Sequence, residues 1–520
     1  MKLLYGMAVF FAAIFIVACG GANKIEDRET EQEVELLCKP EQIEDIDFRI
    51  LNTDTRVVLE QNSVSWKMLD LGKDEESLAR NVSTAFLNKL NVPLSNVPEW
   101  FTEMREEAVK KAVESGEPVD YGFLNEALDR FLQDPKYSQY RDPEQKFKLF
   151  QATNEGFIRA MGDPFAVYIT PSMVESVTSY TGTYYGIGSS IRTNENNEWE
   201  LSPIGEGNPA ELAGIKRYDV LLEVDGKSVA GCLVWQIVEN IKGKKGSKVK
   251  LTIERDGKEI EFIVPRGEVK IEQVHSWPHV EWDDGRGSSG KELSYSFPLK
   301  TRDGKEVPEI AYIKLDSFEL QPAKDFYHVL ANMPWENVTG LIIDLRNNPG
   351  GLVSSGISTT GYFLEPNAVI FNERNAEGDR SVHRNPPEAA YDKETGLYFI
   401  PNLVPRELSI VLLVNQHSYS AAELFSGALQ DHGRAVLVGE RTGGKGTVNM
   451  HFLLKKGEYG ALYIAIRLWE TPNGRFIEPL YETEKGGLLP NVVVEQPVRG
   501  FSADNDENIF RALEILTEGK

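Results

Sequence analysis

Three short apolar runs, each spilling into a turn rich in glycine or serine, constrain this 520-residue chain more than any other feature. Leu341-Ile342-Ile343-Asp344-Leu345 runs into Arg346-Asn347-Asn348-Pro349-Gly350-Gly351. Ile410-Val411-Leu412-Leu413-Val414 leads into Asn415-Gln416-His417-Ser418-Tyr419-Ser420, and a helix-like Ala421-Ala422-Glu423-Leu424-Phe425 leaves it. Ala435-Val436-Leu437-Val438-Gly439 leads to a loop holding Gly443-Gly444-Lys445-Gly446-Thr447. Apolar runs bounded by turn residues read as strands. A strand at Ile310–Leu315, a helix from Ala323 to Leu330 and later strands near 461 and 492 extend the alternation, which predicts an α/β core.

Ser420 and Lys445 stand twenty-five residues apart, one after the second run and one after the third. A serine hydroxyl is a poor nucleophile until a neighbouring base takes its proton. Lysine can be that base only as the free amine, a form that burial favours. Taken alone, a serine after a strand is more often a helix N-cap. Ser418 is a rival nucleophile whose other role is that of a hydrogen-bonded turn residue. His417, His432 and His451 lie close enough in sequence to suggest a Ser-His-Asp site, although strand and turn positions account for them more simply. Gly439 to Lys445 satisfies most of a phosphate-binding loop, but Gly446 stands where the Mg²⁺-binding Ser or Thr belongs. Negative charge developing on a carbonyl oxygen needs donors already in place. The N–H of Ala421 is one, and Gly350 or Gly351 supplies the other, because glycine lets backbone approach closely.

Together with Phe157-Ile158-Arg159-Ala160-Met161-Gly162-Asp163-Pro164-Phe165, Tyr185-Gly186-Ile187-Gly188 and Thr471-Pro472-Asn473-Gly474-Arg475, these motifs resemble the carboxy-terminal processing peptidases, or tail-specific proteases. The resemblance runs from about Phe147 to Leu516. It implies a multi-domain α/β protein: a crotonase-like sandwich as catalytic core, with an inserted PDZ domain and an N-terminal helical region. It also implies a serine endopeptidase with Ser420 as nucleophile and Lys445 as base. In the family a glutamine four residues on steadies the lysine; here that place is Asn449, one methylene shorter. An inactive PDZ-bearing scaffold is the competing reading that Asn449 favours. The PDZ domain implies capture of protein C-termini as an added strand, with the carboxylate received by backbone N–H groups at Tyr185, Gly186, Ile187 and Gly188. Tyr218 departs from the family's glycine, which strains the turn if positive φ is needed there.

The N-terminus is basic at Lys2, then apolar to Ile16-Val17-Ala18-Cys19, which resembles a lipoprotein signal with Cys19 as the acylated first mature residue. That places the protein outside the cytoplasm, as a periplasmic or envelope-facing lipoprotein tethered to a bacterial membrane. Acidic residues outnumber basic ones by 80 to 56, a formal charge of −24, which argues against a nucleic-acid partner. Residues 22–46 are acidic and poor in aromatics, and read as a solvated spacer. The expected division is therefore 1–19 signal, 20–74 spacer, 75–182 helical region, 183–267 PDZ domain and 268–520 catalytic core.

Ala79, Val82, Phe86, Leu87 and Leu90 form one helical stripe; Phe123, Leu124, Leu128, Phe131 and Leu132 form another. A further helix is expected from Pro171. Segments 272–308 and 372–404 read as insertions or flexible loops. Cys38 and Cys232 could pair, but the apolar surroundings of Cys232 favour a buried thiol. No His/Cys/Glu spacing suits a metal, so neither metal nor cofactor is expected. The sequence leaves a homo-oligomer or an adaptor open.

Overall fold

The computed structural model describes residues 75–159, 165–171, 174, 185–269, 273–280, 297–478, 486–495 and 506–518, apart from a few positions within them, and short pieces between 48 and 63. Cys19, Cys38 and most of the helix expected from Pro171 lie outside the described residues.

The helical region holds α1 (Glu75–Lys89), α2 (Glu99–Ser115), α3 (Phe123–Phe131) and α4 (Pro143–Arg159), and the two predicted stripes lie along α1 and α3. Ala79, Val82, Phe86, Leu87, Leu90, Phe123, Leu124, Leu128 and Phe131 are all buried in one core, as helical periodicity demands. Part of the stretch expected as spacer belongs to that core. Phe48, Leu51 and Leu59 are buried in it, and Thr55 Oγ1 donates to Asn154 Oδ1 of α4 at 2.8 Å. Apolar burial outweighs the acidic composition of the neighbouring chain. The helices are also not a separate unit. Strand β1 (Val167–Ile169) pairs with residues 461–463, and Leu462 and Ile464 share the helical core.

The next module is β2 (Tyr185–Gly186), β3 (Ser189–Thr193), β4 (Trp199–Pro203), α5 (Pro209–Leu212), β5 (Asp219–Val224), β6 (Lys227–Ser228), α6 (Val234–Ile241), β7 (Lys248–Arg255), β8 (Lys258–Pro265) and β9 (Gly267–Glu268). Its sheet order is β3-β4-β5-β7-β8, with β6 beside β5, so among the described residues β3 is an open edge. The β2–β9 pair closes the module where the chain enters and leaves. Tyr218 does take positive φ, +73°, and its N–H donates to Leu201 O at 2.9 Å. The Arg192 guanidinium lies 4.7 Å over its ring, so the strained residue is held by the turn bond and a cation–π contact. Cys232 is buried, but as a disulfide-bonded cysteine, not the free thiol expected.

The remaining chain forms two sheets. β10 (Val274–Trp277), β11 (Ile310–Leu315), α7 (Leu320–Asn332), β12 (Gly340–Asp344), α8 (Val353–Gly361), β13 (Val369–Asn375), β14 (Arg380–Arg384), β15 (Ala390–Tyr391) and β16 (Tyr398–Phe399) come first. β17 (Ser409–Val414), α9 (Ala421–Asp431), β18 (Val436–Gly439), β19 (Thr447–Leu453), β20 (Ala461–Glu470), β21 (Val492–Val493) and α10 (Glu507–Glu518) follow. The main sheet has the order β10-β11-β12-β17-β18-β21, parallel except for β10. Leu341 and Ile343 pack with α7 and α9 on one face; Ile342 packs with Ile509 and Leu513 of α10 on the other. Burial on both faces explains why these strands are continuous apolar runs. The fold class is the expected α/β one.

Two expected loops contain strands. Within 272–308, β10 adds an antiparallel edge to the main sheet. Within 372–404, β13 and β14 form a hairpin joined to β20 in the second sheet, and β15 pairs with β16. β14 and β15 are largely exposed and β10 is only four residues long, so no long apolar run marks these strands.

Candidate active site

β12, β17 and β18 are adjacent and parallel, in a register that pairs Ile343 with Leu412, Leu413 with Val438 and Val414 with Gly439. The turns after them therefore open at one edge of the sheet, the carboxyl end where open α/β sheets place their ligands. Those turns carry Pro349-Gly350-Gly351, Ser418-Tyr419-Ser420 and Gly443-Gly444-Lys445.

Ser420 is the N-cap of α9, with φ 55° and ψ −117°. A serine at that φ is strained. Ser418 is fully buried; its hydroxyl donates to Leu345 O at 2.8 Å and accepts from Asn415 N–H at 3.0 Å. It is the turn residue, tying the nucleophile turn to β12.

Glu423 organises the site, and the sequence reading gave it no role. Its carboxylate is fully buried and accepts four hydrogen bonds. Ser420 N–H (2.9 Å) and Lys445 N–H (2.8 Å) donate to Oε2; Gly444 N–H (2.7 Å) and Thr442 Oγ1 (2.6 Å) donate to Oε1. One side chain thus fastens the serine to the lysine loop. Burial pushes its carboxyl above the ordinary glutamate value, against these four donors. The Ser-x-x-Glu spacing of a capping box was the available signal.

Asn348 fixes the glycine turn. Its Nδ2 donates to Leu315 O at 2.7 Å, its Oδ1 accepts from Gly350 N–H at 2.9 Å, and its carbonyl accepts from Tyr419 N–H at 3.0 Å. The Gly350 N–H is therefore occupied, which corrects its expected role as an oxyanion donor. Gly350 instead allows close approach, at φ +94°: a Cβ there would lie 2.8 Å from Ser420 Cβ and 2.9 Å from Ala421 N. Among the described residues, the N–H groups of Gly351 and Ala421 have no acceptor. Below the turn, Arg346 joins Asp344 (2.6 Å) to Asp506 (2.8 Å), and Tyr312 Oη donates to Asp344 at 2.8 Å. Burial alone would raise the Asp344 pKa, but Arg346 and Lys314 hold it well below the usual carboxylate range.

Lys445 is buried, and its Nζ donates to Tyr463 Oη at 3.5 Å. Nζ also lies 5.3 Å from the ring of Phe165 and 5.4 Å from that of Tyr463. Asn449 does not reach it: the amide Oδ1 accepts from Thr447 Oγ1 at 2.9 Å. Among the described residues no hydrogen bond joins Ser420 Oγ to Lys445 Nζ; such bonds commonly tighten only with substrate in place. Nor does any histidine bond Ser420 among these residues. The His432 ring contacts Val369 O at 2.7 Å, and the His451 ring packs, tilted, against that of Tyr463 at 4.7 Å.

In the module at 185–268, Tyr185 and Gly186 pair with Glu268 and Gly267, and Ile187 O accepts from Ala210 N–H at 2.6 Å. Gly188 has φ +69°, and a Cβ there would collide with Asn208. This turn feeds directly into the open edge β3.

A peptidase family S41 model matches residues 309–494, and a PDZ domain model matches residues 186–265. The carboxyl-terminal-processing protease of Synechocystis sp. is 28% identical over 436 residues, covering 82% of this chain and 90% of that protein. The carboxy-terminal processing protease CtpA of Bacillus subtilis is 30% identical over 376 residues, 72% of this chain and 69% of its own. Among solved structures, a photosystem II D1 C-terminal processing protease aligns at 21% identity and a TM-score of 0.39, over 74% of this chain and 94% of that one. The 30% identity across more than two thirds of the Bacillus protein places this protein in peptidase family S41, the carboxy-terminal processing serine peptidases.

Proposed function

We propose that Ser420 is the nucleophile and Lys445 the base of this peptidase. The observation that carries the assignment is the Glu423 carboxylate, which holds the backbone of both residues at once. Ser420 Oγ attacks the scissile carbonyl carbon while Lys445 Nζ takes its proton. The new oxyanion is received by the N–H groups of Ala421 and Gly351, aided by the N-terminus of α9. The lysine then returns the proton to the leaving amine, and water hydrolyses the acyl-enzyme. Ser420→Ala and Lys445→Ala should each abolish cleavage of an unstructured tail, and Ser418→Ala should retain most of it. Substantial turnover by Ser420→Ala overturns the assignment.

The PDZ domain supplies the substrate's end. The open β3 edge suits an added strand, and the turn Tyr185 to Gly188 ahead of it suits the terminal carboxylate. The chain is tethered outside the cytoplasm through diacylated Cys19, a reading supported by the basic start and the apolar run before that cysteine. Cys19→Ser should release the protein from the membrane fraction or block its processing.

A further inference from the structure

The resemblance places a lysine-steadying amide at Asn449, yet that side chain is turned to other business. Its Oδ1 accepts the Thr447 hydroxyl, and its Nδ2 is buried with no partner among the described residues. A bulge between Val448 and Asn449 interrupts the β19–β20 register at this point. The Lys445 amine is met by a different strand. Tyr463 Oη is 3.5 Å from Nζ, and the rings of Tyr463 and Phe165 lie 5.4 and 5.3 Å from it.

Tyr463 is well built to hold a position. It lies in β20, paired with His451 of β19 on one side and Val167 of β1 on the other. Its ring packs against the His451 ring, tilted by 36° with centroids 4.7 Å apart. Phe165, two residues ahead of Val167, meets Tyr419 edge-on at 6.5 Å and 70°, so both rings near the amine are themselves braced. Two aromatic faces and one hydroxyl oxygen attract a cationic nitrogen and restrict where it sits. The hydroxyl can also accept from the neutral amine, which the base must become before attack.

We propose that Tyr463 is the positioning residue for the Lys445 amine, in place of the amide at 449. The inference rests on Lys445 being the base. Placement of a base matters mainly in the transition state, so the loss should appear in kcat and not in KM. Tyr463→Leu should lower kcat by roughly tenfold with KM within about twofold. Tyr463→Phe keeps the ring and the packing, and should restore part of that loss; Asn449→Ala should leave kcat within about twofold of wild type.

The experiment is steady-state cleavage of a fluorogenic tail peptide by these variants and Lys445→Ala, each checked by thermal unfolding. If Tyr463→Leu does not fold, a kcat loss in Tyr463→Phe larger than in Asn449→Ala supports the proposal. A silent tyrosine, with Asn449→Ala carrying the kcat loss, overturns it. Activity in Lys445→Ala would instead overturn the assignment of the base, so the two failures are distinct.

Discussion

Exchanging one oxygen of Glu423 for an amide nitrogen, Glu423→Gln, removes an acceptor at the point where the nucleophile turn and the lysine loop meet. In its milder orientation the new NH₂ faces Thr442 and Gly444. The threonine hydroxyl can turn to accept from it, but the Gly444 N–H, which donates at 2.7 Å in the wild type, is left facing a donor. An unpaired buried N–H costs about 1–3 kcal/mol. The bonds from Ser420 and Lys445 survive in this orientation but lose their charge assistance, about 1 kcal/mol each. Relief from burying a charge offsets part of the sum, so a net stability loss of about 1–3 kcal/mol is expected. Activity should suffer more than stability. A displacement of about 1 Å between reacting groups costs on the order of 100-fold in rate.

The assay is kcat on a tail peptide beside urea unfolding, and kcat within about threefold of wild type in a folded Glu423→Gln would refute the reasoning. Acid should mimic the substitution. Burial raises the Glu423 pKa, so on acidification it takes its proton before an exposed glutamate does. Protonation turns an acceptor oxygen into a donor. Wild-type kcat should therefore fall in that window above the ordinary glutamate range, and Glu423→Gln should lack this limb.

Three further outcomes are expected. Gly350→Ala would put a Cβ 2.6 Å from Tyr419 O and 2.8 Å from Ser420 Cβ, so kcat should drop by on the order of 100-fold; near-wild-type kcat would contradict the packing. Asp344 has a folded pKa below its unfolded one, so its stabilising contribution is present above the unfolded value and lost as pH falls through the folded one. Urea midpoints should thus decline below about pH 4 for wild type and less steeply for Asp344→Asn, which is destabilised at neutral pH; parallel curves would sink this. A tail peptide with an amidated C-terminus should be cleaved more slowly than the acid at limiting substrate, though strand pairing to β3 survives, and equal rates would count against carboxylate capture.

The sequence made the catalytic framework legible because its strands are buried on both faces. Leu341–Ile343 and Ile410–Val414 had to be continuous apolar runs, and their turns had to hold glycine and serine. In the PDZ domain, Asp256-Gly257 is a turn of the kind that marks a hairpin, and β7 and β8 pair on either side of it. What escaped was partnership across the fold. Nothing local to Glu423 shows that the Lys445 loop closes on it, and nothing near Lys445 points to Tyr463, eighteen residues along on another strand. β13 and β14 were missed because a half-exposed hairpin has few apolar positions. Phe48, Leu51 and Leu59 were missed because a short apolar segment just after an acidic stretch has no visible core until α4 is placed beside it.

The central claim is that Ser420 becomes acylated with the help of Lys445. Mixing the protein with a fast-acylating ester of a tail peptide, quenching in acid and mapping the modified residue by tandem mass spectrometry tests it directly. The acyl group should be found on Ser420 in wild type and in Ser418→Ala, and on no residue of the turn in Lys445→Ala. An acyl group on Ser418, or undiminished acylation of Ser420 in Lys445→Ala, would contradict the account.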